Sequence, residues 1–421
     1  MDASAIVAGA FRALIYQLIP LTFMHQTSDI CVVGNGAVGK AAALGFAQAG
    51  RSVTLLSPGA PVASGAQESW DVRVYALNHV AQVLLSRLMV WDALDAARIA
   101  PVEAMAISGD GGNNAGKLGF DAYGARVGAL AWIVEDRNLN QALDAALRFT
   151  PKVKQVNGRA MTLSRGSCAS LILDNGDTLE AQLVVGADGA QSWLRSHCDI
   201  GYDYRSYGQR GVVANFECEK PHQGTAFQWF CCAQGIIALL PLPGNRVSLV
   251  WSAPDALAEQ LLREPAVALA QRLAPWAAEK LGALTPVQPE SVKAFPLSLL
   301  RPHAMTAPRV ALVGDAAHVI HPLAGHGMNL GFGDVEALLE VIDGAGAGVD
   351  CGDARLLRRY TRSRKEDVLL MQVTTDGLER LFASEAEPLR FIRNAGMNLV
   401  NGLPLLKRRL IAQALGRPLP R

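Results

Sequence analysis

Residues 314–338 read GDAAHVIHPLAGHGMNLGFGDVEAL, with five glycines and three histidines, His318, His321 and His326, in a turn-rich run before a helix. Histidines gathered this way make a metal site the first chemistry to weigh. Their spacing is uneven and the nearby aspartates, Asp315 and Asp334, complete only a poor ligand set, so no metal is expected. The glycines suit another task. The stretch Leu-Ala-Gly-His-Gly-Met-Asn lets backbone approach a ligand as a helix begins near Met328. A helix start offers unpaired N–H groups and a positive dipole end to an anion.

Two earlier stretches ask for the same kind of ligand. Gly34-x-Gly36-x-x-Gly39 follows the apolar run at 29–34 and precedes an alanine-rich helix ending at Gly50. Gly34 permits a tight turn, Gly36 lets backbone approach a pyrophosphate, and Gly39 lets the helix pack on its strand. The second strand, ending at Ser57, lacks the acid that would hold ribose hydroxyls; Ser57 offers an uncharged and weaker hydrogen bond. In the middle of the chain, Gly186-Ala187-Asp188-Gly189 is followed by Ser192 and Arg195, and Gly314-Asp315 repeats the pattern of a hydrophobic strand ending in aspartate. Each aspartate alone reads as readily as a helix cap. With the first motif they point to one dinucleotide gripped along its length. The amides after Gly325 would then suit the negative edge of a reduced isoalloxazine.

The elements that must position these residues are legible in outline. Strand, helix and strand over residues 29–57 form a unit of the doubly wound α/β kind, residues 135–149 read as a helix, and 178–195 as strand, turn and helix. From Gly211 to Trp251 the pattern alternates, with a Gly244-Asn245 turn, which predicts an antiparallel sheet in a second domain. Its Phe216, Phe227, Trp229, Phe230 and Trp251 divide between core and the wall of an apolar pocket. Residues 308–317 return to the buried-strand pattern, the glycine-rich run at 343–353 reads as a surface loop, and the remainder is helical and charged.

A length of 421 residues calls for two or three packed domains, and a net charge of +1 gives no basic excess for nucleic acid. Seven irregularly spaced cysteines without a CxxC read as reduced thiols of a cytoplasmic protein. Residues 3–24 are long enough to cross a bilayer but carry Arg12, Gln17 and Pro20, and lack the basic start and A-x-A site of a secretory peptide. An upstream start before Met24, a peripheral membrane helix and a simple extension all remain open. After Glu387 the chain holds Arg390, Arg393, Lys407, Arg408, Arg409, Arg417 and Arg421 with no further acid. That is a surface for anionic lipid or a partner, or a solvated basic face.

Taken together, GxGxxG, GADGxxSxxR and GDAAHxxxPxxGxGxN resemble the single-component FAD-dependent aromatic hydroxylases. DVRVYALN (71–78), FPLSLL (295–300) and the tail from Thr374 resemble the ubiquinone-biosynthesis subgroup, and the likeness runs from about residue 29 to 417. The resemblance implies a Rossmann-type FAD-binding domain (28–80, 131–200, 301–350) interleaved with an antiparallel-sheet substrate domain (81–130, 201–300). An N-terminal extension (1–27) and a helical C-terminal region (351–421) flank them. It implies that Arg73 and Arg137 lie along the FAD, that Asp188 and Gly189 serve FAD and NAD(P)H, and that Gly314 and Asp315 hold the ribityl chain. Pro322 would meet flavin and substrate, and Gly325, Gly327, Met328 and Asn329 would form the flavin-edge helix start. His326 stands where glutamine is usual, and Ser57 where glutamate is usual. With one dinucleotide fingerprint, NAD(P)H is expected to bind transiently as co-substrate. A C4a-hydroperoxyflavin formed with O2 would then hydroxylate the ring of a polyprenyl phenol or quinol. Tyr207, His321 and His326 are candidates by type for proton handling. A lipid reductase or dehydrogenase without oxygen insertion, and a non-catalytic scaffold of a biosynthetic complex, stay open. So does peripheral attachment at the inner face of a membrane.

Overall fold

In the parallel sheet of the computed structural model, four strands end level with one another. The strand His25–Val33 lies between Val53–Ser57 and Thr178–Gly186, and Val310–Leu312 follows on the far side of the latter. Val33 pairs with Leu56 and with Gly186, and Gly186 with Leu312. The carboxyl ends therefore form one row, and the segments carrying the three motifs leave from that row. Val153–Asn157 extends the sheet at the other edge. These strands are buried on both faces near their carboxyl ends, as a parallel sheet requires. The structure describes residues 24–59, 69–110, 115–288, 292–346, 348–383, 387–403 and 407. The readings placed on residues 1–23 and on the basic residues 408–421 lie outside them.

The helix Ala37–Gln48 follows the first motif, and the helix His326–Asp343 packs across it. Small residues set the approach. A Cβ on Gly45 would lie 2.5 Å from Leu339, and one on Gly331 2.8 Å from Val38. The helix starts at His326, two residues before the expected Met328, because Gly325 takes the left-handed conformation (φ +68°) that ends the preceding turn. The long helix Ala354–Ala383 is tied to the row of strand ends by Tyr360, whose hydroxyl donates to the Leu312 carbonyl at 2.7 Å.

The alternating segment forms a sheet, with Gly244 at its turn (φ +73°). The sheet is wider than the alternation suggested. Tyr202–Cys218 runs for 17 residues and also pairs with Lys293–Pro302. Thr225–Phe230 recruits the hairpin Ala104–Ser108 and Lys117–Asp121 through one parallel pairing. Phe216 and Trp251 pack under the helices Asp255–Arg263 and Ala266–Leu281 on one face, with Trp229 against that core. The other face looks toward the parallel sheet. A small sheet of Val74–Leu77, Ile99–Val102 and Ala131–Glu135 joins the two.

Three expectations need correction. The first strand begins at His25 rather than near Asp29, because His25 already pairs with Thr178 in the parallel ladder. The 343–353 run is not all surface: Cys351 is fully buried, and Asp350 pairs with Arg309 at 2.5 Å. Arg393 is not available to lipid. It lies buried on the helix Glu387–Asn401, where it pairs with Asp110 and donates to the Leu381 carbonyl at 3.1 Å. That helix docks on the hairpin, with Asn398 accepting the Lys117 N–H at 2.9 Å. Among the described residues no helix is long and apolar enough to cross a membrane.

Candidate functional site

One continuous cleft of about 2560 Å³ runs from the first motif to the inner face of the second sheet. Small-molecule pockets are usually roughly 300–1,000 Å³, so this cleft has room for a dinucleotide and a second molecule together. Gly36, Arg73, Gly189, Gly314, Asp315, Pro322, Gly325, His326, Gly327, Met328 and Asn329 all line it. Gly34, Gly39, Ser57, Arg137, Asp188 and His321 do not.

The three glycines of the first motif do different work. A Cβ on Gly34 would lie 2.3 Å from the Ala187 carbonyl oxygen, and one on Gly39 2.0 Å from that of Gly34. Both allow strand, turn and helix to close. A Cβ on Gly36 would meet no protein atom within 4 Å, and the same holds for Gly189 and Gly327. These three leave space in the cleft rather than in the core. Gly36 is the N-cap of Ala37–Gln48 with no side chain satisfying the first turn, so those amide groups stay available to an anion.

Asp315 opens into the cleft while protein surrounds its other sides. Enclosure pushes its carboxyl above the usual range, and His318 and Arg73 pull it back. The Arg73 guanidinium lies 5.6 Å from the centre of the Tyr75 ring, and the Tyr75 hydroxyl donates to Asp136 at 2.7 Å. Asp136 and Asn140 also line the cleft, and Asn140 donates to Asp136 at 2.9 Å. Neither was singled out from sequence, where both read as ordinary residues of an amphipathic helix.

The middle motif supports more than it exposes. Asp188 Oδ2 accepts the Leu194 N–H at 3.0 Å, and Oδ1 is buried without a partner. Arg195 is buried and donates to the Ala190 carbonyl at 2.7 Å and the Ala316 carbonyl at 2.9 Å, tying the middle motif to the late one. Arg137 donates to the Ser69 carbonyl at 2.6 Å. Ser57 donates its hydroxyl to the Gly59 carbonyl at 2.8 Å, within its own turn.

The three histidines go to three different surroundings. His318 is buried at 2.7 Å from Asp334 Oδ2, and the same oxygen accepts the Gly314 N–H at 2.9 Å. Arg364 donates to the other oxygen at 2.8 Å. Burial would push the Asp334 carboxyl up, but the charges and hydrogen bonds of His318 and Arg364 hold it below its usual range. The sequence carried no signal for this pairing, because Arg364 sits in a helix rich in charge. His321 is fully buried beside Gln209 (3.3 Å) and edge-on to Tyr207 (4.9 Å), and burial alone pushes its pKa down to about 4. It packs behind the cleft rather than lining it. His326 faces the cleft, and burial lowers it to about 4 as well, so it is neutral at pH 7. Among the described residues no three His, Cys, Asp or Glu side chains gather as metal ligands.

Asn329 staples the helix start to the small sheet. Its amide donates to the Ala76 carbonyl at 2.7 Å and accepts the Asn78 N–H at 2.9 Å. Backbone at 325–329 is thereby presented to the cleft with Pro322 beside it.

A family model described as FAD binding domain matches residues 166–372, and one described as glucose inhibited division protein A matches residues 29–240. The 3-demethoxyubiquinol 3-hydroxylase of Escherichia coli is 37% identical over 397 residues, covering 93% of this chain and 99% of that one. Ubiquinone hydroxylase UbiL of Rhodospirillum rubrum is 35% identical over 93% of this chain and 90% of its own. The mitochondrial ubiquinone biosynthesis monooxygenase COQ6 of Drosophila melanogaster is 30% identical over 92% of this chain and 90% of its own. Among solved structures, PqsL of Pseudomonas aeruginosa, described as a probable FAD-dependent monooxygenase, superposes with a TM-score of 0.71 at 20% identity, over 88% of this chain and all of that one. The p-nitrophenol 4-monooxygenase PnpA of Pseudomonas putida gives 0.74 at 18% identity, over 93% of this chain and 99% of that one. These two show the fold alone. A glycine-lined cleft at the ends of a doubly wound sheet, an FAD-binding domain and full-length likeness to ubiquinone hydroxylases agree: the chain belongs to the ubiquinone-biosynthesis hydroxylases, which are FAD-dependent monooxygenases.

Proposed function

We propose that this protein hydroxylates the aromatic ring of a polyprenylated phenol or quinol on the route to ubiquinone, using NAD(P)H and O2. One observation carries the reading: a cleft suited to a dinucleotide at one end opens, without a wall, onto an apolar sheet face at the other. FAD, when bound, supplies a reducible ring system through which electrons from NAD(P)H activate O2 for insertion of one atom into the substrate.

The chain's own residues have the tasks of binding, orienting and excluding water. In our reading Gly36 and the first amides of Ala37–Gln48 receive the pyrophosphate, with Gly189 leaving room beside them. Asp315 accepts hydrogen bonds from ribityl hydroxyls, and Arg73 offers positive charge nearby. The amides opening the helix at His326–Asn329 would stabilise negative charge on the flavin edge, and Pro322 would stand beside both flavin and ring. Neutral His326 adds no charge of its own there. Phe230, Ile236, Leu240, Val250 and Leu297 wall the far half and keep water from the reacting centre.

A prenyl chain suits those walls. Removing it from water is worth roughly 0.8 kcal/mol per CH₂, so a few isoprene units would outweigh the ring's polar contacts. Such a substrate resides in a membrane, and we extend the proposal to peripheral contact with a membrane surface. The purified, FAD-loaded protein should consume NAD(P)H in response to a prenylated phenol at concentrations at least tenfold lower than the bare phenol requires. Equal response to both would remove the prenyl pocket from the account.

A further inference from the structure

On the strands Thr225–Phe230, Ile236–Leu242 and Arg246–Pro254 the residues that meet the cleft are apolar, except Gln228 and Ser252. Gln228 is 8% exposed, lines the cleft, and its amide has no hydrogen-bond partner among the described residues. Its row of the sheet holds Ala238 on one side and Ile107 on the other, and its same-face neighbours along the strand are Ala226 and Phe230. Ala238 is too small to cover it. The amide carries two donors and an acceptor, and none can be met by these neighbours. An amide that no protein group pairs and that opens into a cavity is available to a partner that enters the cavity.

The position of Gln228 says which part of a ligand that is. Phe230 packs in one cluster with Leu323, the residue after Pro322. Ala226 packs in another with Ala76, whose Cβ is 3.0 Å from where a Cβ on Gly325 would lie. The two clusters that hold the flanking neighbours of Gln228 thus reach the two ends of the Pro322–Gly325 turn. Gln228 faces the cleft beside that turn, at the junction of its dinucleotide-binding and apolar halves. A prenyl chain has nothing to offer an amide, whereas the ring end of a phenol or quinol carries hydroxyl, methoxy or carbonyl oxygens.

We propose that Gln228 is the residue that recognises the oxygen substituents of the substrate ring, its amide hydrogen-bonding one of them and so setting which face and edge of the ring meets the flavin. This rests on the reading of the substrate as a prenylated phenol. Other cleft-lining residues of the strands Thr225–Phe230, Ile236–Leu242 and Arg246–Pro254 are apolar apart from Ser252, which lies two strands away.

The test uses FAD-loaded wild type, Gln228→Leu and Gln228→Asn, titrated with a prenylated methoxyphenol and with a prenylbenzene lacking ring oxygens. Ligand dissociation constants are read from the flavin absorbance change, and KM, kcat and the ratio of hydroxylated product to NAD(P)H from turnover. Gln228→Leu should bind the phenol at least tenfold more weakly and lose coupling, yet bind the prenylbenzene and FAD as wild type does. Gln228→Asn should recover part of the phenol affinity. Equal weakening of both ligands would mean that Gln228 only shapes the sheet, and unchanged phenol affinity would overturn the proposal outright. Failure of wild type to turn over any phenol would count against the functional reading. The binding titrations would still decide the role of Gln228.

Discussion

Gly36 is the residue whose replacement separates ligand from fold most cleanly. Its φ is −69°, open to any residue, and a Cβ there touches no protein atom. Gly36→Val should therefore unfold at the same temperature as wild type when both are stripped of FAD, yet lose FAD affinity at least tenfold. Gly39→Ala drives a Cβ into the Gly34 carbonyl and should lower the FAD-free stability itself. Thermal unfolding with and without FAD checks both, and parallel losses in the two variants would contradict the division. His321 makes a pH-dependent claim. Its folded pKa of about 4 lies below the ordinary 6.5, so between those values the unfolded chain takes up a proton that the folded chain refuses. Stability from this group is complete above about pH 6.5 and is lost as pH falls toward 4. His321→Gln keeps a partner for Gln209 and cannot titrate. Its urea midpoint should gain on wild type as pH drops from 7 to 5, and a constant gap would count against the buried neutral histidine. At this scale the sequence told which residue types were present but not their neighbours. Gly36, Asp315 and His326 all face the cleft as the motifs suggested, whereas His321, three positions along the same loop from His318, is turned behind it.

Elements meet at Asp334. This one carboxylate, fully buried on the helix His326–Asp343, holds the Gly314 amide, His318 and Arg364 of the long C-terminal helix. It fixes the late motif against two helices at once. Removing one partner of a buried ionic cluster leaves the others uncompensated and costs about 3–5 kcal/mol. Asp334→Ala should lose stability of that order by urea unfolding and lower FAD occupancy, because the Gly314-Asp315 turn loses its anchor. Retention of both would show that backbone packing alone sets the turn. Periodicity revealed the strands and helices themselves, since apolar spacing is local. It left unseen the Ala104–Ser108 and Lys117–Asp121 hairpin, short and only partly buried, whose place depends on a parallel pairing with a strand more than a hundred residues later. The same limit hid the Arg393–Asp110 contact, which turns a residue of a basic tail into a buried latch between the last helix and that hairpin.

For the whole molecule, two sheets share one cleft, and the chain passes between them repeatedly. The dinucleotide half was legible because glycine motifs report backbone requirements that no distant contact can alter. The apolar half was legible only as an abundance of aromatic residues. Which of them face the cleft followed from register: Phe230 faces it, while Phe216 and Trp251 support the sheet from behind. Joining the halves makes the central claim chemical, that the protein inserts one atom of O2 into a prenylated ring. The direct measurement is product mass after reaction of the FAD-loaded protein with NAD(P)H and a prenylated phenol under ¹⁸O-labelled oxygen gas. The account predicts a product heavier by one labelled oxygen atom, with no label entering from labelled water. NAD(P)H consumption that leaves the phenol unlabelled, or labels it only from water, would contradict it.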